Sequence, residues 1–592
     1  MGFNSWTAFA TGVTAQDLRA TADFFVSSGL AAAGYAYVNS DDGWAEGQRD
    51  PASGRLVADP GKFPGGIRAL ADYIHSKGLK LGIYTASSSV VCSGRPGSLF
   101  HEALDAETFV SWGVDYVKIE CVRAPGPPRG ARFRLLTPTL LHENSLCGEY
   151  AYGNQARYSA FADALNLTGV PVLLSTEPYD IVPNPSAATF SNVWRCCTDI
   201  DANWRTIVDR IDRNEMLAPL VGPGAWSDAD MLQIGNGALT PEEQRAHFAL
   251  WSVTKNPLLL ATDITRLSPT QLQLVKTPWL IAANQDPLGV PARKLSINGA
   301  APLRHVGLVP CEAAGNTQPR ANLLSGDALA WEARALPGGA AYALYNRGAD
   351  RCLALAAYAG VAQRPVLQPC DAQDATQAWA LPGGVGHLGA LLALGGGGGA
   401  LAPAPSTLYA AIHGSDAVPV ADAAYGLTQL GLEPYLPPGP CASRGCTNYT
   451  PSQTWHWSAR SGLLALATFS ANHYRCFEGP CEVTTAVVPA PAALCLANVL
   501  SVAYEGTDPS GESLADVWGG PLAGGAFVLV LHNRANATAN VSAAFGEFGV
   551  PSGPLCARDL FTGAASGPLS GGVERELASH DVAALRLSQP PC

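Results

Sequence analysis

Short apolar runs alternate with segments of helical period through the first half of the chain. In the helical segments apolar residues recur three and four positions apart, which is the spacing of one face of an α-helix. Helices are predicted in segments such as 15–30, 66–76, 155–167, 203–216 and 241–254. The apolar runs predict buried strands at 2–6, 35–41, 80–86, 115–120, 171–177, 193–200, 220–226 and 257–263.

Eight alternations of strand and helix predict a (β/α)8 TIM barrel of the α/β class over residues 1–298. An open, doubly wound sheet is the alternative. It is disfavoured by the eight units and by the lack of a Gly-rich phosphate loop in the sequence.

Polar residues stand at or just beyond the carboxyl ends of the predicted strands. They are Asp41, Asp42, Tyr84, Lys118, Glu177, Arg195, Asp199, Asp228 and Asp230. In a barrel these ends meet at one face, where active sites lie. A single Asp there usually caps a helix or closes a turn. Carboxylates from several strand ends, however, would repel one another without a substrate or cation to use them, so we predict an active site at this face.

The residue types at this face favour carbohydrate chemistry. A metal site is disfavoured because none of the eleven His stands at these strand ends. Carboxylates and Lys hydrogen-bond vicinal hydroxyls, and aromatic rings pack on the apolar face of a pyranose. Two further carboxyl groups cleave the glycosidic bond, and that reaction needs no metal or organic cofactor.

Composition narrows the class of protein. A chain of 592 residues predicts two to four domains. The net charge of −12 argues against a nucleic-acid partner, and no apolar run is long enough to cross a membrane. Fifteen Cys and N-glycosylation triplets at Asn166, Asn448, Asn536 and Asn540 favour a secreted, extracellular or vacuolar/lysosomal protein. No signal peptide precedes the first strand, so we expect the start of the chain to be truncated.

Long ordered motifs make the chain resemble glycoside hydrolase family 27, the melibiase-type α-galactosidases. The resemblance covers residues 1–295 and resumes near Asp516. The motifs are MGFNSW at 1–6, NSDDGW at 39–44, KFPG at 62–65, HSKGLKLGIY at 75–84, WGVDYVK at 112–118, GPGAWSDADM at 222–231 and NQDPLG at 284–289.

The resemblance implies a retaining exo-α-galactosidase that acts by double displacement on galactose-containing carbohydrates. It places Glu120 at the nucleophile position and Asp199 at the general acid/base position. It implies a galactose subsite lined by Trp6, Asp41, Asp42, Tyr84, Lys118, Glu177, Arg195, Asp228 and Met231. Glu177 stands where family members discriminate a 2-hydroxyl from a 2-acetamido group, and its charge disfavours the alternative, an α-N-acetylgalactosaminidase. A homodimer is compatible with the resemblance.

One departure from the family concerns the nucleophile. The family has an Asp two residues after the Lys of the fourth strand, and this chain has Glu120. Glutamate is one methylene longer, and a misplacement of about 1 Å can cost roughly a hundredfold in rate. The resemblance therefore leaves a third interpretation open, a catalytically impaired, galactose-binding pseudoenzyme.

A second departure follows directly in the chain. Residues 122–146 are rich in Pro and Arg and have neither strand nor helix periodicity. We interpret them either as a loop insertion or as a translated intron whose removal would restore an Asp codon at position 120. The resemblance implies a disulfide from Cys92 to Cys121 or Cys147. The adjacent Cys196 and Cys197 are assigned no chemistry, since they could be free thiols.

The second half predicts two further domains. Residues 299–510 are predicted to form a β-rich insertion in which Cys is followed by Gln-x-Trp, as in Cys370 with Gln377 and Trp379. A second copy has Cys446 with Gln453 and Trp455, and a degenerate copy has Cys311 with Gln318. The pattern resembles ricin-type β-trefoil lectin repeats. An irregular β insertion with disulfides is the alternative. Residues 511–592, beginning near the family-like VWGGPL at 517–522, predict a C-terminal antiparallel β-sandwich.

Overall fold

The fold is described from a computed structural model of the chain. It describes residues 1–120, 151–177, 187–215, 217–218, 221–297, 515–547 and 549–592. Between these, it describes the segments 304–310, 331–337, 341–346, 351–358, 361–368, 370–380, 388–389, 392–393, 399–403, 428–433, 439–440, 447–448, 455–457, 464–466 and 494–501. One compact unit comprises 1–183, 187–301 and 506–592, and a second comprises 184–186 and 302–505. None of the helices in the described part is long and apolar enough to span a bilayer.

The first unit contains a parallel eight-stranded barrel, as predicted. Its strands are β1 (Gly2–Asn4), β2 (Tyr37–Asn39), β3 (Lys80–Ala86), β4 (Tyr116–Glu120), β5 (Leu173–Glu177), β6 (Val193–Arg195), β7 (Trp226–Asp228) and β8 (Leu259–Leu260). The sheet order is β7-β6-β5-β4-β3-β2-β1-β8. A parallel bridge between Leu232 and Leu260 brings its two ends together and closes the ring. A ninth strand, β9 (Arg293–Ile297), follows the barrel.

Helices connect the barrel strands. They are α1 (Trp6–Phe9), α2 (Ala15–Ser27), α3 (Gly66–Ser76), α4 (Glu102–Ser111), α5 (Ala151–Leu167), α6 (Ala187–Phe190), α7 (Trp204–Glu215) and α8 (Pro241–Val253). Two more, α9 (Pro269–Val275) and α10 (Pro278–Asn284), follow the last barrel strand. The helix starts follow local chemistry: Thr14 and Thr240 form capping boxes with Asp17 and Glu243. Pro241 occupies the first turn of α8, where its missing N–H costs nothing.

The seventh strand differs from its prediction. The run 220–226 was expected to be extended, but the strand begins only at Trp226. Gly222 and Ala225 exchange two backbone hydrogen bonds of 2.9 Å, and Gly224 has a φ of +90°. The Pro-Gly pair thus makes a tight turn out of an apolar run, and the strand is displaced to the residues that carry Asp228.

The second unit is antiparallel β structure in its described strand pairs. The strands are β10 (Arg304–Pro310), β11 (Trp331–Ala335), β12 (Tyr342–Asn346), β13 (Arg351–Tyr358), β14 (Val361–Gln368), β15 (Trp379–Ala380), β16 (Leu388–Gly389), β17 (Leu392–Ala393), β18 (Gly399–Pro403), β19 (Thr428–Glu433), β20 (Gly439–Pro440), β21 (Thr447–Asn448), β22 (Trp455–Trp457), β23 (Leu464–Leu466) and β24 (Leu494–Ser501).

The Gln-x-Trp pattern of the second unit lies in a packed core. Trp379 is fully buried, and its indole N–H donates to the carbonyl of Leu353 at 2.9 Å. Gln377 accepts a hydrogen bond from the backbone N–H of Asp371, and Cys352 forms a disulfide with Cys370. Cys311, Gln318, Cys446 and Gln453 of the other copies lie outside the described residues. The trefoil therefore stays a prediction.

The C-terminal part is an antiparallel β-sandwich, as predicted. Its strands are β25 (Ala515–Leu522), β26 (Ala526–Asn533), β27 (Ala539–Ala544), β28 (Leu555–Asp559), β29 (Ala565–Leu569), β30 (Gly572–Leu577) and β31 (Val582–Ser588). One sheet has the order β29-β28-β31-β26-β25-β9, and β27 pairs with β30. Strand β9 precedes the predicted domain boundary at 298, yet it is the edge strand of this sandwich sheet. The boundary stays a prediction.

Buried charges join the barrel to the sandwich. Arg534 of the sandwich pairs with Asp212 of α7 at 2.9 Å and with Asp516 of β25 at 2.7 Å. Lys294 of β9 reaches Asp212 at 2.6 Å and Asp516 at 3.4 Å. Two cations thus balance two carboxylates in a site that water does not reach, and removing any one of them would leave an uncompensated buried charge.

Candidate active site

A pocket of about 350 Å³ opens at the carboxyl ends of the barrel strands. Its lining residues are Trp6, Thr7, Asp41, Asp42, Tyr84, Cys92, Lys118, Glu120, Glu177, Arg195, Asp199, Ile200, Asp201, Ala202, Asp230, Met231 and Gln233. Every site residue predicted from the sequence is among them except Asp228. The barrel topology accounts for this convergence, because all eight strands end at this face.

The end of β2 presents two fixed carboxylates. Asp41 accepts a hydrogen bond from the side-chain amide of Asn4 at 2.8 Å, and its own backbone N–H donates to the Ser5 hydroxyl. Asp42 accepts from both the backbone N–H and the hydroxyl of Ser93, at 2.7 and 2.8 Å. The chain turns away at Gly43, where φ is +107° and a Cβ would lie 2.6 Å from the Thr11 backbone.

Lys118 and Arg195 bridge the carboxylates of neighbouring strands. Lys118 Nζ lies 3.1 Å from Asp41 and 3.2 Å from Glu177, and Arg195 Nη1 lies 2.8 Å from the other oxygen of Glu177. Burial would lower the pKa of Lys118, but Asp41 and Glu177 outweigh it and hold that pKa well above the usual range. Lys118 therefore stays charged in the pocket.

Asp230 was predicted to lie at the active-site face but was not assigned to the galactose subsite, and in the structure it lines the pocket. Its carboxylate accepts from Arg195 Nη2 and from the backbone N–H of Ile200, both at 2.8 Å, and from the N–H of Met231. Its φ of +81° is unusual for a residue with a side chain. The Asp-x-Asp spacing 228–230 was the available signal. It did not show which carboxylate faces the pocket.

Asp228 lies behind the pocket wall. It is buried, and its Oδ1 accepts a hydrogen bond from the backbone N–H of Asp230 at 2.8 Å. Burial raises the pKa of Asp228 to about 6, against the opposing effect of Arg195. Its predicted contact with a sugar stays a prediction.

Glu120 ends β4 and points into the pocket. It is buried, and the Tyr84 hydroxyl donates a hydrogen bond to its Oε2. Burial raises the pKa of Tyr84 well above its usual value, so the phenol remains protonated and can donate. Burial also raises the pKa of Glu120, although Lys118 and Tyr84 oppose that change.

Asp199 lies at the outer end of the pocket. Its side chain is 64% exposed, whereas that of Glu177 is 5% exposed. Arg195 Nη2 holds one of its oxygens at 3.0 Å, and Arg210 donates to its backbone carbonyl at 2.8 Å. Burial would raise the pKa of Asp199, but Arg195 and Lys118 outweigh it, so this pKa lies below the usual range.

The structure tests the predictions for the cysteines near the site only in part. Cys92 lies 3.7 Å from both oxygens of Glu120, and burial raises the pKa of its thiol to about 12. Its predicted partners, Cys121 and Cys147, lie outside the described residues, so that disulfide stays a prediction. Cys196 and Cys197, for which free thiols were left open, are joined to each other.

The described residues contain no cluster arranged to hold a metal ion. The carboxylates of the pocket pair instead with Lys118 and Arg195. Sequence reasoning did not assign Thr7, Ile200, Asp201, Ala202 or Gln233 to the pocket. Their position just after β1, β6 and β7 was the available signal, but residues that follow a strand most often only turn the chain.

Comparisons with known proteins identify the family of this chain. A family model described as "Alpha galactosidase A" matches residues 10–127 and 145–286, and one described as "Alpha galactosidase C-terminal beta sandwich domain" matches 512–587. Alpha-galactosidase 3 of Arabidopsis thaliana is 42% identical over 301 residues, which are 50% of this chain and 63% of that protein. An alpha-galactosidase of Coffea arabica is 42% identical over 301 residues, 50% of this chain and 73% of its own length.

Two further relatives match an equal share of this chain. An alpha-galactosidase of Oryza sativa is 40% identical over 303 residues, 50% of this chain and 66% of that protein. Alpha-galactosidase A of Cellvibrio japonicus is 38% identical over 306 residues, 50% of this chain and 69% of that protein. The chain thus spans less than two thirds of the Arabidopsis and rice relatives.

Solved structures show the same fold. Alpha-galactosidase I from Mortierella vinacea aligns with a TM-score of 0.55 at 20% identity and covers 99% of this chain and 96% of its own. An α-galactosidase from Saccharomyces cerevisiae aligns with a TM-score of 0.55 at 18% identity, covering 100% and 97%.

Proposed function

The chain belongs to the melibiase-type α-galactosidase family, glycoside hydrolase family 27, and on this premise we propose that it is a retaining exo-α-galactosidase. Its substrate would be a terminal α-D-galactosyl residue of an oligosaccharide, polysaccharide or glycoconjugate. One observation carries the proposal: Lys118 and Arg195 share the carboxylate of Glu177 in a pocket that also holds Glu120 and Asp199.

The inner pocket suits the binding of a hexose. Asp41 and Asp42 offer buried acceptors, Lys118 and Arg195 offer donors, and Trp6 offers an indole face at the mouth. Hydroxyl groups bound by charged partners form stronger hydrogen bonds than neutral pairs do. These groups are held by one another before the sugar enters, so little ordering remains to be done on binding.

The reaction would proceed in two displacements. The Glu120 carboxylate attacks the anomeric carbon, and the glycosidic C–O bond breaks as Asp199 gives its proton to the leaving oxygen. Water then attacks the glycosyl-enzyme ester, and Asp199 takes the proton of that water. The two inversions return the original anomeric configuration, and Glu120 leaves as a carboxylate.

The free pocket disfavours the protonation pattern that the reaction needs. The reaction needs Glu120 ionised and Asp199 protonated, but burial raises the pKa of Glu120 while Arg195 lowers that of Asp199. The productive combination is therefore a minority form of the free pocket. Because Asp199 is 64% exposed, it can leave Arg195 and turn to the leaving oxygen.

Glu177 supports a 2-hydroxyl substrate. It is buried between Lys118 at 3.2 Å and Arg195 at 2.8 Å. A carboxylate fixed in this way can accept a hydrogen bond from a hydroxyl, but it offers little room to an acetamido group. It therefore disfavours activity on α-N-acetylgalactosaminides.

The Glu120 side chain favours a second candidate, a galactose-binding protein with impaired catalysis. The pocket keeps its binding residues while the attacking carboxylate is one methylene longer than the family Asp. We include this as the alternative outcome of the test below.

Purified protein incubated with nitrophenyl α-galactoside and nitrophenyl α-N-acetylgalactosaminide tests the proposal. We expect release of nitrophenol from the galactoside alone, and its loss in Glu120→Gln. Galactose binding by calorimetry without hydrolysis of either substrate would favour the impaired protein. Hydrolysis of the N-acetyl substrate would overturn the assignment of Glu177.

We further propose that residues 122–146 are foreign to the family pattern, since the family match stops at 127 and resumes at 145. A mature transcript that still encodes Glu120 through Ser145 would exclude the intron interpretation.

The disulfides Cys352–Cys370 and Cys556–Cys592 support an oxidising compartment, extracellular or vacuolar/lysosomal. A homodimer and a sugar-anchoring role for the region 299–510 are also proposals.

A further inference from the structure

The pocket has an outer rim that the galactosyl group would not occupy. Side chains of the inner pocket are nearly inaccessible, with Asp41 at 3% and Glu120 at 6% exposure. Thr7, Asp199 and Asp201 of the lining are exposed instead. The general acid must contact the glycosidic oxygen, so the leaving group lies beyond Asp199, at the rim.

Asp201 is presented at this rim by a fixed backbone. Its N–H donates to the Thr206 hydroxyl at 3.2 Å, and its carbonyl accepts from that hydroxyl at 2.7 Å and from the N–H of Asn203 at 2.8 Å. Ala202 packs so tightly against Gly237 that a Cβ there would lie 2.4 Å from the Ala202 carbonyl oxygen. The backbone of the segment entering α7 is thus held by several contacts, which favours a binding role for the side chain that it presents.

The carboxylate of Asp201 is not used by the fold. Within the described residues, neither carboxylate oxygen of Asp201 takes part in a hydrogen bond or an ion pair, although the residue lines the pocket. Its neighbours Asp199 and Asp230 are both bound to Arg195. An ionised carboxylate accepts hydrogen bonds only, and its two oxygens can accept from two adjacent hydroxyl groups.

We infer that Asp201 is a specificity-determining residue that binds the hydroxyl groups of a sugar aglycone. This inference rests on the proposed function, because it takes Asp199 as the group at the glycosidic oxygen. An aryl or alkyl aglycone offers no donors to Asp201 and would partly desolvate its charge. The site would therefore select galactosides whose leaving group is itself a sugar.

Kinetics with two leaving groups test the inference. The variants are Asp201→Asn, Asp201→Ala and a control, Asp72→Asn, which changes an exposed carboxylate on α3. We expect Asp201→Ala to lower kcat/KM for α-galactosyl-(1→6)-glucose about tenfold and to leave nitrophenyl α-galactoside within about twofold. A tenfold change corresponds to about 1.4 kcal/mol, within the range of a hydrogen bond to a charged group. An equal fall for both substrates, or no fall for the disaccharide, would overturn it.

A binding measurement separates this inference from the proposed activity. In a Glu120→Gln background, calorimetry compares the Kd of the intact disaccharide with that of galactose. We expect Asp201→Ala to weaken the disaccharide about tenfold and to leave galactose unchanged, even if the parent chain hydrolyses nothing. If the two sugars bind alike with and without Asp201, the inference is wrong whatever the activity.

Discussion

Replacing Glu120 by Asp is expected to raise the rate of hydrolysis. The change removes one methylene and restores the side chain that the family carries after the strand-four Lys. No other change is made, because Lys118, Tyr84 and Asp41, which the resemblance assigns to the site, line the same pocket as Glu120. The structure shows Glu120 extended to the Tyr84 hydroxyl, with Cys92 at 3.7 Å from its oxygens.

The magnitude follows from the length of the side chain. One C–C bond is about 1.5 Å long, so the extra methylene moves the carboxylate by about 1 Å along the pocket. A misplacement of this size costs roughly a hundredfold in rate, which is about 2.7 kcal/mol of the activation free energy. We therefore expect Glu120→Asp to raise kcat on the order of a hundredfold with little change in galactose affinity.

The assay is steady-state hydrolysis of nitrophenyl α-galactoside, with galactose inhibition measured in parallel. Glu107→Asp, a similar shortening at an exposed position of α4, serves as the control and should leave kcat unchanged. A second variant replaces residues 120–145 by a single Asp, the product expected if an intron were removed. Should Glu120→Asp run at or below the rate of the parent chain, the idea that Glu120 is too long would be refuted.

Three further predictions concern the general acid/base, the buried ion pairs between barrel and sandwich, and the pH dependence of the stability that these ion pairs give. Asp199→Asn should lower kcat on an unactivated disaccharide by about 10²–10⁴-fold. The loss on a nitrophenyl galactoside should be smaller, since nitrophenolate needs less protonation to leave. Equal losses on the two substrates would argue against Asp199 as the general acid. Arg534→Met should lower the free energy of unfolding by about 3–5 kcal/mol in urea titrations, whereas Arg245→Met, 40% exposed, should change it by less than about 1 kcal/mol. The pKa of Asp516 is lowered from 3.8 to about 2, because Arg534 and its other charged neighbours outweigh the effect of burial. The contribution of ionised Asp516 to the free energy of unfolding should be complete above about pH 4 and lost as the pH falls towards 2. If the free energies of unfolding of the parent chain and of Asp516→Asn change in parallel between these pH values, this expectation is contradicted.

The barrel could be predicted from the sequence because its strands carry a strong periodic signal. β3 has the predicted bounds, and α3 does as well. The seventh strand could not be placed correctly, since the apolar run before Trp226 reads like a strand although Pro223 and Gly224 fold it into a turn.

Part of the site could likewise be predicted from the sequence, and part could not. Residues at strand ends were predictable because topology brings them together, and a resemblance to one family gave each a role. The choice between Asp228 and Asp230 was not predictable, because it depends on the φ of +81° at Asp230 and on the hydrogen bond that turns Asp228 inwards. Asp201 was not assigned to the site from the sequence, because the proposal for it rests on a backbone held by Thr206 and on its place in the pocket lining, and neither is visible in the sequence.

The first-formed anomer of the released galactose tests the central claim most directly. Proton NMR of a concentrated reaction with nitrophenyl α-galactoside, recorded before mutarotation, should show α-galactose from the parent chain and faster formation of the same anomer from Glu120→Asp. β-Galactose as the first product, or no galactose from either protein, would contradict the assignment of a retaining α-galactosidase.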